Sequence, residues 1–142
     1  MNLDLNQNMY LYLAIAGGVL LLCIVLFAGT LRRKPKKLNT KHYQEKWSAV
    51  QSLCKSKNTW PLAIINGDKL LDDALKARRY KGKTMGERLV SAQRDLSEND
   101  SVWYGHKLRN KLVHEETPPL KQNEVMKVLT GFRQALKDLG AL

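Results

Sequence analysis

The sequence predicts an all-α protein in which a single transmembrane helix precedes a small bundle of four or five helices. Two observations favour this fold class. The stretch Met9–Leu31 carries no charged side chain, and at about 1.5 Å per residue it is long enough to cross a bilayer core of roughly 30 Å. After position 40 the apolar residues recur at intervals of three and four, which is the period of a helix.

Composition divides the chain into four segments. Residues 1–8 form a short N-terminal segment, residues 9–31 the membrane helix, residues 32–40 a basic linker and residues 41–142 the helical domain. The flank before the apolar stretch carries only Asp4 as a charged residue. A secretory signal would carry basic residues there and a shorter apolar stretch, so the pattern favours a retained anchor.

A cluster of five cations follows the membrane helix directly. The positive-inside rule therefore predicts an N-terminus outside the cell membrane and a domain in the cytoplasm. Cations at this position also predict binding to anionic lipid headgroups, at roughly 1 kcal/mol per residue. The cations are Arg32, Arg33, Lys34, Lys36 and Lys37.

Helical spacing continues through the domain. We expect helices at about 41–57, at about 60–80, from Thr84 through Leu96, from the capping segment Ser97–Asp100 to His114, and at about 120–139. Three acidic residues of the second of these helices, Asp68, Asp72 and Asp73, fit exposed ion pairs four residues apart better than a pair of catalytic carboxylates. The tryptophans Trp47, Trp60 and Trp103 are expected in the core or between helices.

Charge and cysteine content limit the possible functions. The formal net charge is +11, and the segment from residue 41 onward has 19 Lys and Arg against 12 Asp and Glu, which favours nucleic acid or a membrane surface as the partner. Cys23 and Cys54 form no disulfide pattern. Because zinc-ligand spacing, phosphate-binding glycine loops and nucleophile elbows are all missing, we expect neither a metal nor a cofactor.

The most informative motif is Arg109-Asn110-Lys111-Leu112-Val113-His114. An arginine can bind a phosphate, an amide can orient it, and an imidazole can transfer a proton near neutral pH. On a continuous helix Asn110 and His114 lie about 40° apart, whereas Arg109 and His114 lie about 140° apart. Arg109 and His114 can meet at one phosphate only if the helix ends between them or a second copy of the chain supplies one of them.

The motif R-N-x-x-x-H, at the end of the penultimate helix of a small α-bundle, resembles the signature of the HEPN superfamily. That superfamily includes metal-independent ribonucleases and non-catalytic members. The resemblance implies that Arg109 contacts the scissile phosphate, that Asn110 orients His114 or the phosphate, and that His114 is the general acid or base. It also implies a homodimer with the site at its interface, and a 2′,3′-cyclic phosphate as the product.

Three points remain open. The triplet can stabilise the helix end or a dimer in a non-catalytic, membrane-tethered module that binds a partner, a nucleotide or RNA. His106, four residues before Asn110, can either extend the phosphate site or be a half-buried structural histidine. A second cationic cluster can follow an RNA backbone or simply be solvated at a helix end, and it consists of Lys76, Arg78, Arg79, Lys81 and Lys83.

Overall fold

The computed structural model describes residues 3–30, 37–114 and 119–142. Within these residues the protein is all-helical and has no strand, as predicted. The helices are α1 (Leu3–Thr30), α2 (Thr40–Ser52), α3 (Trp60–Ala77), α4 (Met85–Ala92), α5 (Asn99–His114) and α6 (Gln122–Asp138). The chain forms two compact units, Met1–Lys34 and Pro35–Leu142.

Helix α1 is the apolar N-terminal helix that the sequence predicts. Its segment Asn8–Val25 has a mean hydropathy of 2.1, and none of this segment is buried. By length and composition α1 can therefore cross a membrane. The cations Arg32, Arg33, Lys34 and Lys36 lie outside the described residues, while Lys37 is described and exposed.

Helix α2 ends five residues earlier than the predicted position 57, and two short 3₁₀ turns, Leu53–Lys55 and Lys57–Thr59, lead into α3. Side chains at the junction with α3 donate hydrogen bonds to carbonyls of this connection. The Thr59 hydroxyl donates to the Leu53 carbonyl at 2.5 Å, and the Trp60 indole donates to the Cys54 carbonyl at 3.1 Å. These bonds satisfy carbonyls that a continued helix would have used.

Helix α3 ends in a left-handed turn centred on Arg79, three residues before the glycine expected to break it. Arg79 has φ +66° and donates its N–H to the Lys76 carbonyl, while the Tyr80 N–H donates to the Leu75 carbonyl at 3.1 Å. This pair of bonds is the Schellman motif, in which glycine is the usual left-handed residue. Helix α6 ends in the same way with Gly140, at φ +70°.

The cap of α3 yields a stability prediction. We expect Arg79→Gly to raise the free energy of unfolding by about 0.5–1 kcal/mol, because relief of the left-handed backbone outweighs the extra freedom of glycine in the unfolded chain. Gly140→Ala, at the matching position of α6, should lower it by about 1 kcal/mol. Urea denaturation of residues 35–142 measures both, and a destabilised Arg79→Gly variant would contradict the strain at this turn.

Helix α3 lies at the centre of the domain, against α2, α5 and α6. Two glycines allow α3 and α5 to approach the aromatic ring of Phe132 on α6. A Cβ on Gly105 of α5 would lie 2.6 Å from Phe132 Cζ and 2.7 Å from Val128 Cγ1. A Cβ on Gly67 of α3 would lie 3.0 Å from Phe132 Cδ2. Phe132 is fully buried, so the ring has little room to move away.

These distances predict different effects for the same substitution at the two glycines. Gly105→Ala should lower the free energy of unfolding by up to about 2 kcal/mol, because overpacking costs about 1–3 kcal/mol and the gain in helix propensity is about 1 kcal/mol. Gly67→Ala should change it less, since the closest contact is looser. Thermal unfolding monitored by circular dichroism compares the two variants, and a larger loss for Gly67→Ala would contradict this packing.

Candidate functional site

A buried carboxylate on α3 gathers the polar side chains of α5. Asp68 is only 3% exposed. Its Oδ1 lies 2.9 Å from His106 Nδ1, and its Oδ2 lies 3.6 Å from Arg109 Nε. Arg109 Nη1 in turn donates a hydrogen bond to Asn110 Oδ1 at 3.0 Å. We call Asp68, His106, Arg109 and Asn110 the Asp68 cluster.

Helical spacing explains why α5 can supply three members of the Asp68 cluster. His106, Arg109 and Asn110 are three and four residues apart, so they share one face of the helix. The edge of the Trp103 ring, one turn earlier, faces the His106 ring at a centroid distance of 6.2 Å. Gly67 and Gly105, which face Phe132, are the residues immediately before Asp68 and His106. The packing of α6 against these glycines therefore holds the two helix turns that carry the site.

The interpretation of Asp68 as an exposed ion-pair residue is wrong. Position 68 falls on the buried stripe of α3 together with Ile64, Leu71 and Leu75, all of which are fully buried. Four- and three-residue intervals link these positions, and this spacing is the sequence signal that could have placed an acidic side chain in the interior. The structure therefore adds to the site a residue that the motif does not contain.

The other two acidic residues of α3 form ion pairs closer to the surface, but only the pair of Asp72 with Lys76 has the expected spacing of four residues. Asp72 lies 2.6 Å from Lys76 Nζ, and its carboxylate also pairs with Arg88 of α4 at 2.7 Å. Asp73 lies 3.9 Å from the same lysine. Although partial burial raises the pKa of Asp72, the hydrogen bonds and charges of Arg88 and Lys76 lower it below its ordinary value.

Electrostatics distinguish Asp68 from these neighbours. Burial is the largest influence and raises the pKa of Asp68 above its ordinary value. The hydrogen bond from His106 and the charges of His106 and Arg109 act in the opposite direction, while the charge of Asp72 adds to the increase. The net direction is upward, so the partners compensate only in part for the removal of the carboxylate from water.

Arg109 is the member of the Asp68 cluster that best suits an anion. A guanidinium has five N–H donors. Arg109 directs Nε toward Asp68 and one Nη1 hydrogen toward Asn110, while Nη2 has no acceptor within the described residues. Since 33% of its side chain is exposed, Arg109 can bind a phosphate from solvent and still keep its contacts to Asp68 and Asn110.

His114 does not belong to the Asp68 cluster. It is the last residue of α5 and is exposed, and α5 is continuous from Asn99 to His114. The structure thus excludes a helix end between Arg109 and His114, which was one of the two ways to bring them together. Residues 115–118, with Glu115 and Glu116, lie outside the described part of the chain.

The second cationic cluster is only partly available to a ligand. Lys76 is paired with Asp72, and Arg79 occupies the left-handed turn after α3. Lys81 and Lys83 are exposed in the following segment, whereas Arg78 is half-buried. The Tyr80 hydroxyl donates to Asp95 at 2.7 Å and its ring packs against the core, so this tyrosine is poorly placed for base stacking.

Trp47 is buried and Trp60 is half-buried beside the core, as predicted for core or interhelix residues. Among the described residues no group of three His, Cys, Asp or Glu side chains is placed to hold a metal ion.

Comparison of the chain with protein-family models, curated proteins and solved structures finds no match. The HEPN resemblance therefore remains a prediction from the motif and the order of the helices.

The raised pKa of Asp68 predicts how stability changes with pH. Between the unfolded pKa of about 3.9 and the higher folded value, the folded domain holds a proton that the unfolded chain releases. Stability contributed at this position therefore falls as pH rises through that window. Relative to Asp68→Asn, the wild type should lose free energy of unfolding as pH rises from about 3 through the raised pKa of Asp68 in the folded domain.

Asp138 provides a control of opposite sign for this experiment. Although partial burial raises the pKa of Asp138, hydrogen bonds from Ser97 and Gln134 lower it overall. Relative to Asp138→Asn, the wild type should therefore gain free energy of unfolding over the same pH range. Urea denaturation of residues 35–142 at several pH values measures both differences, and a gain for wild type over Asp68→Asn would contradict the burial cost.

Proposed function

We propose that this protein is a membrane-anchored, HEPN-like endoribonuclease that acts as a homodimer and requires no metal. The observation that carries the proposal is the position of Arg109: Asp68 and Asn110 hold its guanidinium, and a third of the side chain is open to solvent. A planar cation fixed in this way can bind a phosphodiester and stabilise the charge that develops on it during cleavage.

The remaining members of the motif have complementary roles in this proposal. Asn110 accepts a hydrogen bond from Arg109 and orients it toward the phosphate. His114 transfers a proton during the attack of the ribose 2′-hydroxyl on phosphorus, which gives a 2′,3′-cyclic phosphate. Because α5 is continuous, His114 reaches the phosphate bound by Arg109 from the second copy of the chain.

Membrane attachment is the second part of the proposal. Residues 9–31 anchor the protein with the N-terminus outside, and the domain lies in the cytoplasm. The cations of residues 32–37 bind anionic headgroups. The exposed Lys81 and Lys83 add non-specific contacts to the RNA backbone, with Arg78, Arg79 and Lys76 as weaker contributors.

One observation favours a second candidate function, a non-catalytic membrane-tethered module for interaction or for nucleotide or RNA binding. Both Nε and Nη1 of Arg109 face groups of the protein itself, and the Asp68 carboxylate offsets part of the arginine charge. In such a module the Asp68 cluster holds α3 and α5 together or stabilises a dimer. Arg109→Ala would then reduce stability or dimerisation, and RNA would remain intact.

Cleavage of RNA by the full chain in detergent micelles, in excess EDTA, tests the proposal. Wild type should release fragments that end in a 2′,3′-cyclic phosphate, and Arg109→Ala should cleave about 10²–10³-fold more slowly, because it removes the donor to the developing charge. Arg133→Ala, at an exposed arginine of α6, is the matched control and should keep the wild-type rate. Intact RNA with wild type, together with loss of dimer in Arg109→Ala, would favour the second candidate.

A further inference from the structure

We propose that His106 is the general base of this site and that Asp68 is the residue that positions it. This inference rests on the proposed ribonuclease function and assigns the acid and base roles that the motif leaves open. It is carried by the geometry of one carboxylate, whose two oxygens face the proton-transfer group and the phosphate-binding group of the same chain.

The hydrogen bond between Asp68 and His106 selects one form of the imidazole. A carboxylate accepts hydrogen bonds and donates none, so the nitrogen that faces it must carry the proton. That nitrogen is Nδ1, at 2.9 Å from Asp68 Oδ1. In a neutral ring Nε2 is then left with a free lone pair on the side of the ring away from Asp68, as a general base requires.

The same carboxylate holds Arg109 on the next turn of α5. His106 and Arg109 are three residues apart and share Asp68 as a partner, so their side chains lie side by side. A phosphodiester on Arg109 is therefore next to His106 of the same protomer. His114 lies about 12 Å further along the helix axis than His106, at about 1.5 Å per residue, and on a different face from Arg109.

The presence of a carboxylate at this buried position is not explained by the stability of the fold alone. Asp68 occupies a position of the buried stripe between apolar residues, and its burial raises its pKa, so an apolar or amide side chain there would avoid the cost of removing a charge from water. A carboxyl group that is buried, and that also contacts a histidine and an arginine, is typical of catalytic sites. The His106 side chain is 14% exposed, so the ring is not sealed from solvent.

The proposed step conserves protons and bonds. His106 Nε2 takes the proton of the ribose 2′-hydroxyl, and the 2′-oxygen forms a bond to phosphorus. The bond between phosphorus and the 5′-oxygen breaks, and that oxygen receives a proton from the protonated His114 of the second copy. The products are a 2′,3′-cyclic phosphate and a 5′-hydroxyl, after which His106 loses its proton to water and His114 regains one.

Nitrogen NMR of the full chain in micelles, with labelled histidine, tests the positioning role without any assay of cleavage. At a pH where His106 is neutral, the wild type should carry the proton on Nδ1. Asp68→Asn should shift the population toward the form with the proton on Nε2, which is the commoner form of free histidine. Asp73→Asn, at a half-exposed acidic residue of the same helix, should leave the His106 signals unchanged.

Cleavage of RNA in EDTA by the same preparations tests the base. His106→Ala should cleave about 10²-fold more slowly or worse, and added imidazole should restore part of the rate, because a free base can take the place of the missing ring. His42→Ala, at an exposed histidine of α2, is the matched control. Asp68→Asn should lose at least about tenfold, because it disturbs the tautomer of the base.

A second variant distinguishes loss of the base from loss of folding in His106→Ala. His106→Gln keeps a donor for Asp68 but cannot act as a base, so it should be as slow as His106→Ala while it melts near the wild-type temperature.

The outcomes separate the two proposals. Wild-type rates in His106→Ala and His106→Gln, together with a slow Arg109→Ala, would overturn the base role and leave the ribonuclease function in place. A wild-type His106 with its proton on Nε2 would overturn the positioning role of Asp68. Intact RNA with wild type would overturn both the ribonuclease function and the base role.

Discussion

The structure of the domain depends on one buried carboxylate between α3 and α5. Removal of an ionised carboxylate from water costs several kcal/mol unless donors replace the lost hydration. Helix α5 replaces part of that hydration from two consecutive turns, through a hydrogen bond from His106 and the charge of Arg109, whose Nε lies 3.6 Å from the carboxylate. Any rotation or slide of α5 along α3 would leave Asp68 without them. The electrostatic requirement of a single side chain therefore fixes how the two helices lie against each other, more narrowly than apolar packing alone would.

Apolar packing fixes the same two helix turns from the other side. Gly67 directly precedes Asp68, Gly105 directly precedes His106, and both glycines face the ring of Phe132. Larger side chains at these glycines would push α6 away from α3 and α5, and with it the turns that carry the polar groups. Because the two constraints act on adjacent residues, the Asp68 cluster is held without loops. This arrangement suits a site whose geometry must be kept to within a fraction of an ångström.

Sequence periodicity predicted most of the fold, because each amphipathic helix shows its buried face in its own residues. The apolar α1, the capped start of α4 and the regular stripe of α6 are all visible in the sequence. The reading failed at Asp68 and at Arg79. Asp72 and Asp73 each lie four positions from a lysine, which suggests surface ion pairs, and Asp68 was grouped with them although it has no such lysine. Its partner, His106, is 38 residues away in the chain. Arg79 adopts a left-handed conformation that its own side chain disfavours, in a turn closed by hydrogen bonds to the Lys76 and Leu75 carbonyls.

The structure divides the R-N-x-x-x-H motif into two parts with different surroundings. Arg109 and Asn110 belong to the Asp68 cluster within one chain, whereas His114 stands exposed at the end of α5. Under the proposed function, the chain presents a base and a phosphate clamp on one surface and an acid on another, so a second copy completes the site. Anchorage in a membrane supports such an arrangement, since two copies confined to one bilayer meet at a higher effective concentration than two free domains. In the proposed function, the apolar helix α1 and the divided motif serve one requirement, which is to bring two incomplete sites together.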